Sequence, residues 1–160
     1  MDYDFEASVG YWATMAAIAF RRALNEELAP FGITYRQMQV LAWLVLIGEQ
    51  SQSELASRMD VEPPTLAGII DRMESAGWVA RRPCAEDRRK KLVRIQEAAE
   101  PIWGRITSCA RRIRMRATDG MDEQQVEQLR SLLRVMHENL SRPHSLPSMS
   151  EELSHEPPGG

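Results

Sequence analysis

The stretch from 51 to 77 constrains the fold more than any other part of the chain, because it delimits two short helices with little chain between them. Ser51 and Glu54 have the spacing of a capping box, in which each side chain bonds the backbone N–H at the other's position. Two consecutive prolines follow, which a helix tolerates only in its first turn. The second helix, predicted over about 64–76, ends at Gly77. Two short helices joined by a tight turn indicate a helix-turn-helix.

After this segment, helical spacing gives way to two short apolar runs at 78–80 and 91–95, on either side of a turn-like stretch at 83–87. This pattern predicts a β-hairpin. Residues 78–95 carry seven basic side chains against two acidic ones, in a chain of formal net charge -3. A basic block on an acidic protein favours one surface that faces a polyanion. Charge alone leaves an ordinary solvated loop equally open.

Four longer helices are predicted around this segment from apolar periodicity and helix caps. The first covers about 9–28, and the second follows Thr34 with an apolar sequence that predicts burial nearly all round. The last two lie between 97 and 141, and the final one begins at Asp122. We therefore predict a mainly α fold with a small β-wing: six helices and a two-stranded hairpin, arranged as a winged helix-turn-helix between longer helices.

The sequence gives little support for a secreted, membrane-spanning, enzymatic or metal-binding protein. The start of the chain lacks the basic and apolar regions of a secretory signal, and no apolar run is long enough to cross a membrane. Two cysteines are too few for a disulfide framework, so we expect a cytoplasmic protein. The three histidines lie on the last helix and the tail without the spacing of a catalytic or metal site. No enzymatic activity, metal or cofactor is predicted.

The run SELASRMDVEPPTLAGIIDRMESAGWVARRPCAEDRRKKLVRI resembles the MarR family, and especially its SlyA-like branch. The order of the predicted elements matches the family over about 8–141, and individual residues match it from about 51 to 101. It implies a winged helix-turn-helix regulator of transcription, most commonly a repressor, that binds a palindromic duplex operator as a homodimer. The implied divisions are an N-terminal dimerisation helix at 1–33, the DNA-binding domain at 34–96, C-terminal dimerisation helices at 97–141 and a disordered tail at 142–160. The dimer face is expected to include Trp12, Ile102, Ile106, Leu129 and Leu133.

The resemblance places the second helix of the motif in the major groove and the basic wing in the minor groove. Many SlyA-like relatives carry a basic residue where this chain has Gly68. Weaker base readout, closer approach to the bases and simple drift all stay open. In the wing, Arg88 is the first candidate for groove insertion, with Asp87 and Arg89 paired at the tip, although the two arginines could exchange roles. The predicted DNA contacts are Arg36, Ser51, Gln52, Ser53, Pro63, Pro64, Thr65, Gly68, Arg72, Arg81, Arg82, Asp87, Arg88, Arg89, Lys90 and Lys91.

Members of the family often release DNA when a small phenolic or carboxylate ligand enters between the dimer base and the winged domain. An apolar pocket with one or two polar groups suits an aromatic acid. The alternative, that the same side chains simply form core, stays open, and the first helix lacks a central arginine that meets a carboxylate in SlyA-like relatives. The candidate ligand contacts are Tyr11, Trp12, Met15, Thr34, Arg36, Met38 and Trp43.

Two further alternatives concern the mode of action. Cys84 lies among arginines, and positive surroundings favour a reactive thiol, which suggests a redox-responsive regulator. The peroxide-sensing branch of the family uses an N-terminal cysteine that this chain lacks, so Cys84 could equally be an ordinary wing residue. Gly68 mildly favours a winged helix that binds a protein instead of DNA, whereas the basic wing argues against it.

Overall fold

The computed structural model describes residues 4–84, 87 and 90–142. The predicted fold class is confirmed, since these residues form six α-helices and a small antiparallel sheet. In chain order the elements are α1 Val9–Leu28, α2 Tyr35–Ile47, β1 Gln50–Ser51, α3 Gln52–Met59, α4 Pro63–Ser75, β2 Val79–Pro83, β3 Lys91–Ile95, α5 Glu100–Ala117 and α6 Glu123–Ser141. The helices of the described ranges are too short or too polar to span a lipid bilayer.

Local capping determines where three of these helices begin. Reciprocal side-chain-to-backbone bonds join Thr34 with Gln37 before α2, and Asp122 with Gln125 before α6. The same box forms at α3, where the Ser51 hydroxyl accepts from the Glu54 N–H and the Glu54 carboxylate accepts from the Ser51 N–H at 2.7 Å. Each box satisfies two N–H groups that have no partner inside the helix. The predicted helix starts are confirmed at all three positions.

The sheet has three strands in the order β1-β3-β2, one more than the predicted hairpin. β2 pairs with β3 from Val79 opposite Ile95 to Pro83 opposite Lys91. The added strand is only two residues long and pairs Ser51 with Leu92. Because Ser51 is also the cap of α3, this pairing fixes the start of the helix-turn-helix against the wing.

The core joins the winged segment to the α1–α5 pair. Its fully buried side chains include Leu28, Leu41, Leu55, Leu66, Ile70, Met73, Val79, Val93 and Cys109. Two expectations are wrong here. Ile106 is buried within the chain itself, on the side of α5 that packs on α1, and is not available to a partner. The last turn of α2 is exposed at 45–47, since the buried residues of that helix all lie between Gln37 and Leu44.

The chain divides into two compact units, Met1–Ala117 and Thr118–Gly160. In the first unit, Arg112 of α5 bonds the Glu27 carboxylate of α1 at 2.6 Å. The thiol of Cys109 donates to the Glu27 carbonyl at 3.4 Å, and the residue is fully buried in the core. The second unit contains α6, in which no residue is buried. Its apolar side chains Leu129, Leu132, Leu133 and Leu140 are all exposed.

A half-buried guanidinium connects the wing to the second helix of the motif. Arg81 of β2 bonds the carboxylates of Asp71 and Glu74 on α4, each at 2.6 Å. Its Nε donates to Gln52 of α3 at 3.1 Å, and its backbone N–H donates to Glu74 at 3.0 Å. One side chain thus fixes β2, α3 and α4 relative to one another.

These bonds also hold Glu74 in its charged form. The backbone N–H of Arg81, and then its guanidinium, lower the pKa of Glu74 below its ordinary value. A carboxyl whose pKa is lowered by folding stabilises the folded state above its unfolded pKa. That stabilisation is lost as the pH falls through the folded value, so the contact is intact at neutral pH.

Replacing Arg81 with alanine is expected to destabilise the fold by about 1–2 kcal/mol, because its side chain is only 17% exposed and its bonds to Asp71, Glu74 and Gln52 are lost together. Arg82 provides a matched control on the same strand, since its Nε bonds Glu49 at 2.7 Å but its side chain is 46% exposed. Water and salt screen an exposed ion pair, so Arg82→Ala should have the smaller effect. Urea unfolding without DNA measures both free energies, and equal losses would contradict a special role for Arg81.

Candidate nucleic-acid interface

The front of α4 is exposed, as expected for a helix that enters a groove. Pro63, Pro64 and Thr65 are all exposed in its first turn. The N-cap residue Glu62 makes no side-chain cap bond. The first N–H groups of a helix have no intrahelical partner, but two prolines supply none, so the Thr65 N–H is the backbone donor left in this turn. The helix start is therefore a weaker anion site than its dipole alone suggests.

Farther along the same face of α4, Gly68 and Arg72 lie next to each other. A Cβ built on Gly68 would stand 3.7 Å from Nη1 of Arg72. The guanidinium of Arg72 therefore lies over the glycine one turn earlier. Arg72 is exposed, whereas Gly68 is partly covered.

A second group of predicted contacts meets at the start of α3. The residues Ser51, Gln52, Ser53, Lys90 and Lys91 line one cleft of about 280 Å³. Ser51 is buried and occupied as a cap, and its hydroxyl, followed by its backbone N–H, lowers the pKa of Glu54. Gln52 accepts from Arg81. The exposed groups of the cleft are Ser53 and the two lysines.

Three other predicted contacts are engaged within the protein. Arg81 bonds Asp71 and Glu74, and Arg82 bonds Glu49. Nη1 of Arg36 donates to the Met59 carbonyl at 3.1 Å and to Gln39 at 3.0 Å. Their contacts with DNA stay predictions, and each would have to share or exchange these bonds.

Only part of the wing tip belongs to the described residues. Arg88 and Arg89, and hence the predicted pairing of Arg89 with Asp87, lie outside the described residues. At the base of the tip, the Cys84 N–H donates to the Lys90 carbonyl at 2.9 Å, and the Lys90 N–H donates to the Asp87 carbonyl at 2.9 Å. Cys84 is a free, partly exposed thiol. Its redox role stays a prediction.

Most of the candidate ligand contacts already have structural partners. Tyr11 packs edge-on against Trp12, whose indole N–H donates to the Glu6 carbonyl at 2.9 Å. Thr34 caps α2, and Trp43 lies under the Arg58 guanidinium at 5.5 Å. Met38 and Trp43 pack on the core, Arg36 holds α3, and Met15 is exposed. A ligand site among these residues stays a prediction.

Sequence reasoning missed the role of Asp71, Glu74 and Gln52 around Arg81. The only signal was the helical spacing of Asp71 and Glu74, which puts two carboxylates on one face of α4. A strand arginine placed shortly after such a pair could have suggested the contact.

Known proteins share the sequence pattern of the winged segment and the fold of the described chain. Residues 33–91 match the model of the MarR family. Wild-type MarR from E. coli in its apo form has a TM-score of 0.73 and 26% identity, covering 81% of this chain and 96% of that chain. A mutant MarR from E. coli complexed with operator DNA has a TM-score of 0.70 and 27% identity, covering 80% and 92%.

A third structure, of Bordetella bronchiseptica BpsR, concerns the regulation of DNA binding by 6-hydroxynicotinic acid. It has a TM-score of 0.73 and 22% identity, covering 86% of this chain and 98% of that chain, and it supports the fold alone. Residues 33–91 therefore match the MarR family of transcriptional regulators, and the chain shares its architecture with E. coli MarR over nearly the full length of that protein.

Proposed function

We propose that this protein is a homodimeric repressor that binds a palindromic duplex operator, with α4 in the major groove and the basic wing in the minor groove. The observation that carries the proposal is the cleft at the start of α3. It brings the start of α3 and the Ser53 hydroxyl together with Lys90 and Lys91 of the wing. Such a set of donors suits a phosphate of the DNA backbone.

The cleft and α4 would then divide the work of binding. Phosphate contacts fix the register of a protein on the duplex, and side chains on the groove-facing helix specify the sequence. The positioning contacts are assigned to Ser53, Lys90 and Lys91, and the specifying ones to the exposed face of α4. The domain at 34–96 would hold all of these groups, with 1–33 and 97–141 left for dimerisation.

The dimer is supported by α6, whose apolar residues repeat at the spacing of a helix–helix seam. Val126, Leu129, Leu133, Met136 and Leu140 are separated by three or four residues throughout. Among them Leu133 is 47% exposed and Leu140 is 79% exposed. A soluble chain rarely leaves such a stripe uncovered. A second copy of the chain provides an equivalent stripe, so a homodimer can cover both stripes without a different partner protein.

A small aromatic or phenolic acid is the proposed effector. The regulation of BpsR by 6-hydroxynicotinic acid provides a precedent on the same fold. In this chain Tyr11, Trp12 and Met15 offer apolar surface on α1, and Arg36 offers a cation on α2. Loss of operator binding in the presence of such an acid would support the proposal, and no effect across a panel of aromatic acids would refute it.

The proposed function is tested first by fluorescence anisotropy. The purified protein is titrated onto the DNA upstream of its own coding region and onto a scrambled duplex, over a series of salt concentrations. A preference for the natural duplex, with affinity that falls steeply with salt, is the expected result. Equal, weak binding to both duplexes would favour the protein-binding alternative.

Lys90 and Lys91 are expected to act through phosphates. Replacing both with alanine should weaken binding to all duplexes alike and reduce the salt slope by about two, because each phosphate contact contributes roughly 0.9. A matched control removes two exposed arginines of α5, Arg111 and Arg116, and should leave the slope unchanged.

A second measurement uses the fact that these two residues are the only lysines of the chain. An amine-selective acetylating reagent therefore modifies these side chains and the N-terminus alone. Mass spectrometry should show that duplex DNA protects both lysines and leaves the N-terminus reactive. Full reactivity of both lysines on the bound protein would contradict their contact with DNA.

The dimer is tested at Leu133. An aspartate there would put a charge into the apolar stripe, where its desolvation is not compensated. Leu133→Asp should therefore shift the protein to monomer in sedimentation equilibrium, while Ser131→Asp on the same helix should not. A dimer that persists with Leu133→Asp at micromolar concentration would show that α6 does not form the interface.

A further inference from the structure

We infer that Arg72 is the principal base-reading side chain of α4, and that the lack of a long side chain at Gly68 leaves room for it. The inference rests on the proposed DNA-binding function and assigns specificity within it. Two residues one helical turn apart would form a single recognition unit, in which position 68 leaves space and Arg72 supplies the hydrogen-bond donors.

The fold itself gives no reason for a glycine at position 68. Gly68 lies in the interior of α4, where glycine is unfavourable, and it is not among the residues with positive φ. Outside the helix's own nearby backbone, a Cβ there would meet only Nη1 of Arg72, at the ordinary van der Waals distance of 3.7 Å. Alanine would therefore fit at this position, whereas a longer side chain would occupy the space that the Arg72 guanidinium fills.

The charge of Arg72 is available to a ligand. Asp71 and Glu74 are its nearest acidic neighbours along the helix, and both bond Arg81 at 2.6 Å. Within the part of the chain that the structure describes, no acceptor bonds the guanidinium of Arg72, and the side chain is exposed. The helix positions that face Arg72 lie three and four residues away, at Gly68, Ile69, Ser75 and Ala76, and none of them is acidic.

The direction of the side chain also fits. Helical side chains point towards the N-terminus of their helix, and the position of Nη1 over Gly68 shows that Arg72 does so. Thr65, Gly68 and Arg72 share one face of α4, since they are three and four residues apart. An arginine fork presented on the groove-facing side suits the O6 and N7 acceptors of guanine. The predicted target is a guanine in each half of the operator.

The test is selection from a randomised duplex library, carried out with the wild-type protein, Arg72→Ala and the control Arg111→Ala. The wild type and the control should select the same motif, with a guanine in each half-site. Arg72→Ala should lose preference at that position alone. Its affinity for the wild-type motif should fall roughly tenfold, within the range for a lost bidentate base contact, and fall little on a duplex that already lacks the guanine.

Gly68→Leu tests the other half of the unit. Leucine favours helix, so the fold should be retained, which circular dichroism and thermal unfolding check. Its side chain would displace the guanidinium, so the same base preference should be lost. The double variant Gly68→Leu, Arg72→Ala should bind no more weakly than Arg72→Ala, because both changes remove one contact. Additive losses would show that leucine acts by a clash of its own and would overturn the role of Gly68.

Two other outcomes are distinguishable. If Arg72→Ala selects the wild-type motif and only lowers the salt slope by about one, Arg72 contacts a phosphate and the inference is wrong, although the proposed function stands. If the wild type selects no motif at all, the proposed sequence-specific function fails, and the assignment of Arg72 fails with it.

Discussion

The two ion pairs from Arg81 to Asp71 and Glu74 determine how the wing lies against the second helix of the motif. A half-buried guanidinium is costly to desolvate unless acceptors surround it, and two carboxylates with Gln52 meet that need. The same bonds matter for a polyanionic partner. Two unpaired carboxylates on α4 would repel the phosphates of DNA, whereas carboxylates paired with an arginine are largely neutralised. One contact therefore supports both the geometry and the electrostatics of the candidate interface.

The two-residue strand β1 has an effect out of proportion to its length. By pairing Ser51 with Leu92, it places the cap of α3 beside the residue that follows Lys91. This pairing brings together the two parts of the proposed phosphate site, residues 51–53 and residues 90–91, which are far apart in the chain. Ser51 serves both structures at once, as helix cap and as strand residue. The backbone of Lys91 is held in the sheet by its pairing with Pro83, and the side chains of both lysines are exposed.

The parts of the fold that depend on short-range contacts were predictable from sequence. The three capping boxes join residues three apart, so their pattern is visible in the chain and their helices begin where expected. Contacts between distant segments were not visible. The partners of Arg81 lie on another element, and its place in a basic run suggested a contact with DNA instead. β1 was missed because two residues are too few to show alternation. The exposure of α2 at 45–47 could not be inferred from its apolar sequence, since composition does not say which turns a neighbouring element covers.

The two prolines at the start of α4 help to explain why the two proposed tasks fall on different helices. A helix N-terminus binds phosphate through unpaired N–H groups, and Pro63 and Pro64 remove two of them. The first turn of α4 keeps its dipole but offers little to anchor an anion. At α3, by contrast, Lys90 and Lys91 add full positive charges to the helix start. If phosphates are held there, the register on DNA is set without α4, whose exposed face is then free to present Arg72 to the bases.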